Sequence, residues 1–224
     1  MLITFLLRIL LYASPKVEFS DREITEYEDL ISTIGEGELL SYNLSNPKYR
    51  FLQYLSLKGS YLFHGSNNHN IELFEPRNQT LFNGKPTQAV FASSEPIWST
   101  FYSVFNRSSL VGGGRNGCIV CKNKKYHYYS LNDSTIKNNP WTEGMLYILP
   151  KNCFVKSDSG KIHFDEWISH DHVKPAGRLI VNIDDFYFKN KVATHNRKES
   201  MIKTWLLYKV RTLRANPMRA SNSR

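Results

Sequence analysis

YLFHGS, residues 61–66, is the stretch on which the reading of the fold turns. Tyr61, Leu62 and Phe63 favour an extended backbone, and the run stops on His64, Gly65 and Ser66, so the segment reads as a strand ending in polar groups. Just upstream, KYRFLQYLSLKG places Phe51, Leu52, Tyr54 and Leu55 on one side of a helix that Gly59 stops. Further back, Ile24, Tyr27, Leu30 and Ile31 recur at three- and four-residue steps behind a cap at Ser20 or Asp21, which predicts a helix ended by Gly35 and Gly37. Downstream, a polar turn, SNNHN, leads into the extended segment IELFEPR. AVFAS is a second apolar strand, and Pro96 opens a helix carrying Ile97, Trp98, Phe101, Tyr102 and Phe105. After the flexible turn at Gly112–Gly114, the segments GCIVC, KYHYYSL, MLYILP, WISHDHVKP and RLIVNI read as strands with no long helix among them. The pattern predicts an α+β fold, with helices ahead of residue 60 and a strand-rich body.

Composition sets the outer bounds. The chain has 224 residues, 41% hydrophobic and 22% charged, which excludes a disordered or collagen-like polymer. Thirteen Tyr, thirteen Phe and four Trp favour strands and a pocket-bearing domain over a helical bundle. Three cysteines cannot all pair, and a chain this long needs no disulfide framework. No Walker loop, GxGxxG, GxSxG or HExxH occurs, which argues against P-loop enzymes, Rossmann dehydrogenases, α/β hydrolases and zincin proteases.

Charge is unevenly placed. Of 29 Lys and Arg and 20 Asp and Glu, ten basic residues and only Glu199 lie after residue 188, so this end carries the whole net charge of +9. HNRKESMIKTWLLYKVRTLRANP reads as a basic helix stopped near Pro217, with Met201, Ile202, Trp205, Leu206 and Leu213 on a stripe docked against the body. Its cationic side is expected to meet an anionic partner, a nucleic acid or an acidic protein, with a membrane surface as rival. At the other end, MLITFLLRILLYASP is interrupted by Arg8 and falls short of the roughly 20 apolar residues of a spanning helix. No positive charge precedes its apolar run, so the expectation is no transmembrane segment and a helix or strand packed on a cytoplasmic protein, with secretion as the alternative.

Three separated segments carry the chemistry: YLFHGS, AVFASSEPIWSTFY at 89–102 and DEWISHDHVKPAGRLIV at 165–181. Each sets a polar or aromatic group at the end of a strand or the start of a helix. In this order they resemble the ADP-ribosyltransferase superfamily, in the branch with a His, an aromatic and a Glu that includes diphtheria toxin and the poly(ADP-ribose) polymerases. The likeness rests on His64-Gly65-Ser66, on Val90-Phe91-Ala92 followed by Phe101 and Tyr102, and on Glu166-Trp167 followed by Val173-Lys174-Pro175. It covers residues 51 to 188, and over most of its length the chain also resembles a group of bacterial proteins with the same HGS, AVFA and EW elements.

The resemblance implies a split β-sheet core at 51–188, preceded by an N-terminal helical region at 1–50 and followed by a basic helix and tail at 189–224. It implies NAD as substrate, with ADP-ribose transferred to a macromolecule or NAD hydrolysed, and no metal. Cleavage passes through a cation-like ribose, so the enzyme must fix the nicotinamide, orient the ribose and place negative charge beneath the cation. On that pattern His64 bonds a ribose hydroxyl, Gly65 lets its backbone approach the carboxamide beside Ser66, Phe101 or Tyr102 stacks on the nicotinamide, and Glu166 is catalytic. Arg77 is added here as a pyrophosphate ligand, because a guanidinium grips phosphate oxygens in a fork. Ungapped reading puts Val90 where the best-known members carry Tyr, with Phe91 beside it. That departure predicts the loss of one stacking wall and motivates the alternative, an inactive nucleotide- or protein-binding module on the same fold.

Two further groups are weaker. Cys118 and Cys121 have the spacing of half a zinc site, with Cys153 and His127 or His163 to complete it, but on a strand residues three apart face opposite ways. His163, His170 and His172 surround Glu166 in sequence and are expected at the rim of its site.

Overall fold

The computed structural model describes residues 2–35 and 37–219. The chain opens with helix α1 (Leu2–Leu10) and strand β1 (Tyr12–Ala13), then α2 (Asp21–Ser32), β2 (Glu38–Leu39) and α3 (Lys48–Lys58). Ser20 and Glu23 close a capping box at the start of α2: the Ser20 hydroxyl accepts from the Glu23 amide at 3.3 Å, and the Glu23 carboxylate accepts from the Ser20 amide at 3.0 Å. Glu23 also takes Arg50 of α3 at 2.6 Å, which fixes the two helices to one another. Gly59 ends α3 at φ +76°, a left-handed conformation natural to glycine.

Next come β3 (Tyr61–Ser66), β4 (Arg77–Thr80), β5 (Pro86–Ala92) and α4 (Pro96–Val104). The middle of the chain supplies β6 (Gly114–Cys121), β7 (Lys124–Asn132), the short α5 (Asp133–Lys137), β8 (Gly144–Pro150) and β9 (Val155–Lys156). It continues with β10 (Ile162–Phe164), β11 (Trp167–Ser169), β12 (Gly177–Val181), β13 (Val192–His195) and α6 (Met201–Arg219). The fold is α+β, as the residue pattern predicts.

The strands form three sheets. One runs β2-β12-β8-β3, a second β4-β5-β11-β9, and a third β1-β7-β6-β10 with β13 also on β7. Met145 to Leu149 of β8 is apolar throughout because this strand is central and covered on both sides. Leu146 and Ile148 face a core shared with Phe51, Leu55, Phe63, Phe101 and Tyr129, whereas Tyr147 and Leu149 face a second core with Leu62, Phe74 and Val90. The N-terminal segment and the basic end both join the third sheet, through the pairings of β1 and β13 with β7.

The basic helix docks on a different face from the one its hydropathy suggests. Thr204, Tyr208 and Thr212 are buried and Trp205 is partly so, while Met201, Ile202, Leu206 and Leu213 are exposed. Polar groups decide the matter. The Tyr208 hydroxyl donates to the Lys191 carbonyl at 2.8 Å, Thr212 pairs with the Tyr12 hydroxyl at 2.8 Å, and Arg115 bonds Thr204. The helix also runs to Arg219, past Pro217. Among the described residues no helix is long and apolar enough to cross a membrane.

Candidate functional site

A fork between two sheets makes the site. Strands β3 and β5 meet at one point, where Phe63 and Ser93 exchange both backbone hydrogen bonds at 2.8 and 2.9 Å. One residue on, the His64 ring reaches across the opening and its Nδ1–H donates to the Phe91 carbonyl at 2.7 Å. A carbonyl only accepts, so this bond puts the proton on Nδ1 and leaves Nε2 as an acceptor. Burial, with Arg107 and Arg77 nearby, lowers the His64 pKa to about 4, and the ring is neutral at pH 7.

Backbone alternation then aims the polar groups of Gly65. Phe63 turns its amide and carbonyl toward Ser93, so those of Gly65, two residues along, turn to the same side, where the fork has opened. The missing side chain also has a packing role. A Cβ at Gly65 would overlap the Ser99 carbonyl oxygen and stand 2.7 Å from the Ser103 amide, so the glycine lets α4 lie against β3.

Two cavities meet at this fork. The smaller, about 220 Å³, is lined by Gly65, Ser99, Tyr102, Phe91 and Phe82, with Glu166 at one side. The larger, about 510 Å³, is lined by Ser66, Asn68, Arg77 and Val90. His64, Gly65, Phe91 and Arg107 border both. The Arg107 guanidinium lies 5.1 Å from the centre of the Tyr102 ring.

Glu166 owes its position to its neighbours. β11 pairs with β5 through Trp167 and Ala92, which brings the preceding residues to the cavity wall. Glu166 accepts from the Ser157 hydroxyl at 2.9 Å and the Phe82 amide at 3.4 Å, and burial raises its pKa above the ordinary value. Asp165 points the other way, into a buried polar network. It accepts from Ser93 and Ser94 hydroxyls at 2.9 Å and from Trp167 Nε1 at 3.2 Å, and pairs with Lys125 at 3.2 Å. Burial opposes its ionisation, but Lys125 and the serines outweigh burial and hold its pKa below the ordinary value.

The same network holds a group with metal-ligand chemistry: Glu95, Cys118 and His127 offer atoms within 4.8 Å of one another. The polar atoms of Glu95 and His127 are otherwise engaged. Ser14 donates to Glu95 at 2.9 Å and contacts His127 Nε2 at 2.7 Å, while His127 Nδ1 meets the Tyr129 hydroxyl at 2.9 Å. The Lys125 ammonium stands 3.7 Å from Glu95, where it already supplies a positive charge. The cluster therefore reads as a satisfied hydrogen-bond network. Cys118 and Cys121 belong to different cores on opposite faces of β6.

The fork gathers most of the residues singled out from sequence. His64, Gly65 and Phe91 border both cavities, Ser66 and Arg77 line the larger, and Tyr102 and Glu166 line the smaller. Phe101 is the exception, 1% exposed and packed on Tyr129, Phe105 and Phe186. Val90 is 3% exposed in the second core, while Phe91 borders both cavities and Tyr102 the smaller one. His170 and His172 line a different cavity with Glu75 and Gln88, and Glu75 also borders the larger cavity of the fork. His163 donates to the Gly160 carbonyl at 2.7 Å. Arg107, Phe82 and Trp98 also line the smaller cavity; Arg107 opens a single 3-10 turn and Phe82 sits in a turn, and neither segment carries a periodic signal in the sequence. Searches of protein families, curated proteins and solved structures find no match to this chain.

Proposed function

We propose that the chain cleaves NAD at the nicotinamide glycosidic bond, passing ADP-ribose to a macromolecule or to water, on a core of ADP-ribosyltransferase type. The observation that carries this reading is the junction of two cavities at His64 and Gly65, with Glu166 beside the smaller and Arg77 in the larger. A dinucleotide has the same division, an aromatic amide at one end and a nucleotide at the other.

The residues present suit such a ligand. The outward amide and carbonyl of Gly65 complement a carboxamide, which both accepts and donates. Tyr102 and Phe91 are the aromatic side chains proposed to hold the nicotinamide ring, and neutral His64 accepts from a ribose hydroxyl through Nε2. Arg77 and Arg107 supply positive charge for the pyrophosphate. In the reaction the ribose C1′–N bond breaks and its electron pair leaves with neutral nicotinamide. The Glu166 carboxylate stabilises the cation that develops, and the incoming hydroxyl, amine or water loses its proton to solvent after attack. Phe91, next to Val90, borders both cavities, which supports the active reading over the inactive module.

The test is release of nicotinamide from NAD by purified protein and by Glu166→Gln. Loss of a group that acts mainly on the transition state should lower turnover by about 10²–10³-fold while NAD still raises the melting temperature. Equal release by the two proteins refutes the catalytic assignment. NAD left intact by a protein that adenine nucleotides stabilise establishes the binding module instead.

A further inference from the structure

The outer faces of α1 and α6 carry apolar side chains that nothing in the described chain covers. Both helices lie on one face of the third sheet, where Leu7, Leu10, Trp205 and Tyr208 pack against Ile119 and Tyr128. They also touch each other, and Lys209 Nζ donates to the carbonyls of Arg8 at 2.9 Å and Leu11 at 3.4 Å. Their remaining faces therefore point the same way, outward from the sheet. On α1 that face presents Phe5, 63% exposed, with Leu6 and Ile9; on α6 it presents Ile202 at 71%, Leu206 at 55% and Leu213.

Single exposed leucines mean little, but a contiguous pair of apolar helix faces marks a contact surface. At 100° per residue Ile202, Leu206 and Leu213 fall within about 40° of one another, with Lys203 and Arg214 on one flank and Lys209 on the other. Arg8, Lys203 and Arg214 are exposed, and neither helix contains an acidic residue. Glu199, the sole acid after residue 188, is turned inward onto Arg211 at 2.6 Å. Hydrogen bonding to Arg211 pulls its pKa down to about 2.

We propose that this face seats the protein on an anionic lipid surface, with α1 and α6 lying in the interface. The inference is independent of any activity at the fork. An anionic bilayer takes both halves of the surface, its acyl boundary receiving Phe5, Ile202 and Leu206 and its headgroups the flanking cations. A nucleic acid would engage the cations and leave the apolar stripe in water. A second copy laid face to face would bring like charges together.

The experiment floats the full-length protein with vesicles of phosphatidylcholine alone or with about 30% phosphatidylserine. Three exposed basic residues predict an affinity about a hundredfold higher for the anionic vesicles, falling as salt is raised. Ile202→Glu with Leu206→Glu should abolish flotation without changing the melting temperature, because these side chains are exposed. Phe5→Glu tests the other helix should that double variant fail to fold. Lys203→Glu with Arg214→Glu should remove the preference for anionic lipid. Three results overturn the proposal: no flotation with either vesicle, equal flotation of wild type and the acidic variants, or a salt-sensitive complex with RNA or DNA, or a dimer, in place of vesicle binding.

Discussion

Replacing Lys125 by Met should be among the most damaging single changes to this chain. The ammonium is within 3.2 Å of Asp165 and 3.7 Å of Glu95, and the two carboxylates are 5% and 2% exposed. Methionine matches the length of lysine and fills the same volume, so the packing term is small and the electrostatic one dominates. Two buried acids are left without their cation, and removal of one partner of a buried pair costs about 3–5 kcal/mol. At 2–4 °C per kcal/mol for a chain of this size, the melting temperature should fall by about 6–20 °C. The deficit should also depend on pH. In the wild type Asp165 is held below its ordinary pKa by Lys125 and the serines. Without the ammonium, burial raises it, so the folded variant takes up a proton more readily than the unfolded chain as pH falls. Urea unfolding at about pH 7 and about pH 5 should then show a smaller gap between variant and wild type at the lower pH. A loss below about 1 kcal/mol, or a gap that pH leaves unchanged, would refute the assignment of Lys125 as the counter-charge of this network.

Gly65→Ala forces its new methyl group onto the Ser99 carbonyl and should cost about 1–3 kcal/mol or more, whereas Gly113→Ala, with open space around it, should cost under about 0.5 kcal/mol in the same denaturant assay. His64 and His127 both have pKa values lowered to about 4 by burial, so the unfolded chain binds more protons between about pH 6.5 and 4. Stability is therefore full above that window and lost as pH falls through it, by up to about 3 kcal/mol per histidine; a flat stability curve across the window counts against neutral rings at half-buried His64 and buried His127. If Glu166 acts as an ionised group, its raised pKa moves the acid limb of nicotinamide release above the ordinary carboxylate range, and a pH–rate profile should show that limb displaced upward.

Elements with one dominant local signal were legible in the sequence. A helix start at Ser20 or Asp21, Pro96 at the head of α4 and the apolar segment MLYILP of β8 each declare themselves within a few residues, and the structure settles the cap on Ser20. Choices between neighbouring side chains were not. Phe101 and Tyr102 sit about 100° apart on α4, and only the packing of Tyr129 and Phe186 against that helix sends Phe101 inward and leaves Tyr102 at the cavity. The docked side of α6 was equally ambiguous, because apolar residues occupy more than one face and hydrogen bonds to Lys191, Tyr12 and Arg115 select which is buried.

Residues 95, 125 and 165 are far apart in sequence, so no motif could announce the network they form, yet it bears directly on the site. Alternation along Asp165-Glu166-Trp167 sends Asp165 inward to Lys125 and Glu166 outward to the cavity, while the Trp167 ring folds back to donate to Asp165. The carboxylate assigned to the chemistry is thus held by the backbone of the residue that anchors the core. Displacing Asp165 displaces Glu166, and misplacement by about 1 Å at a reacting group is enough to lower a rate about a hundredfold. Loosening the network with Lys125→Met should accordingly lower nicotinamide release even in conditions where the variant remains folded, whereas an exposed change such as Lys161→Met, which lies four residues before Asp165 and outside the network, should leave it unchanged. Equal activity of the folded Lys125 variant and the wild type would show that the anchor and the site are mechanically separate.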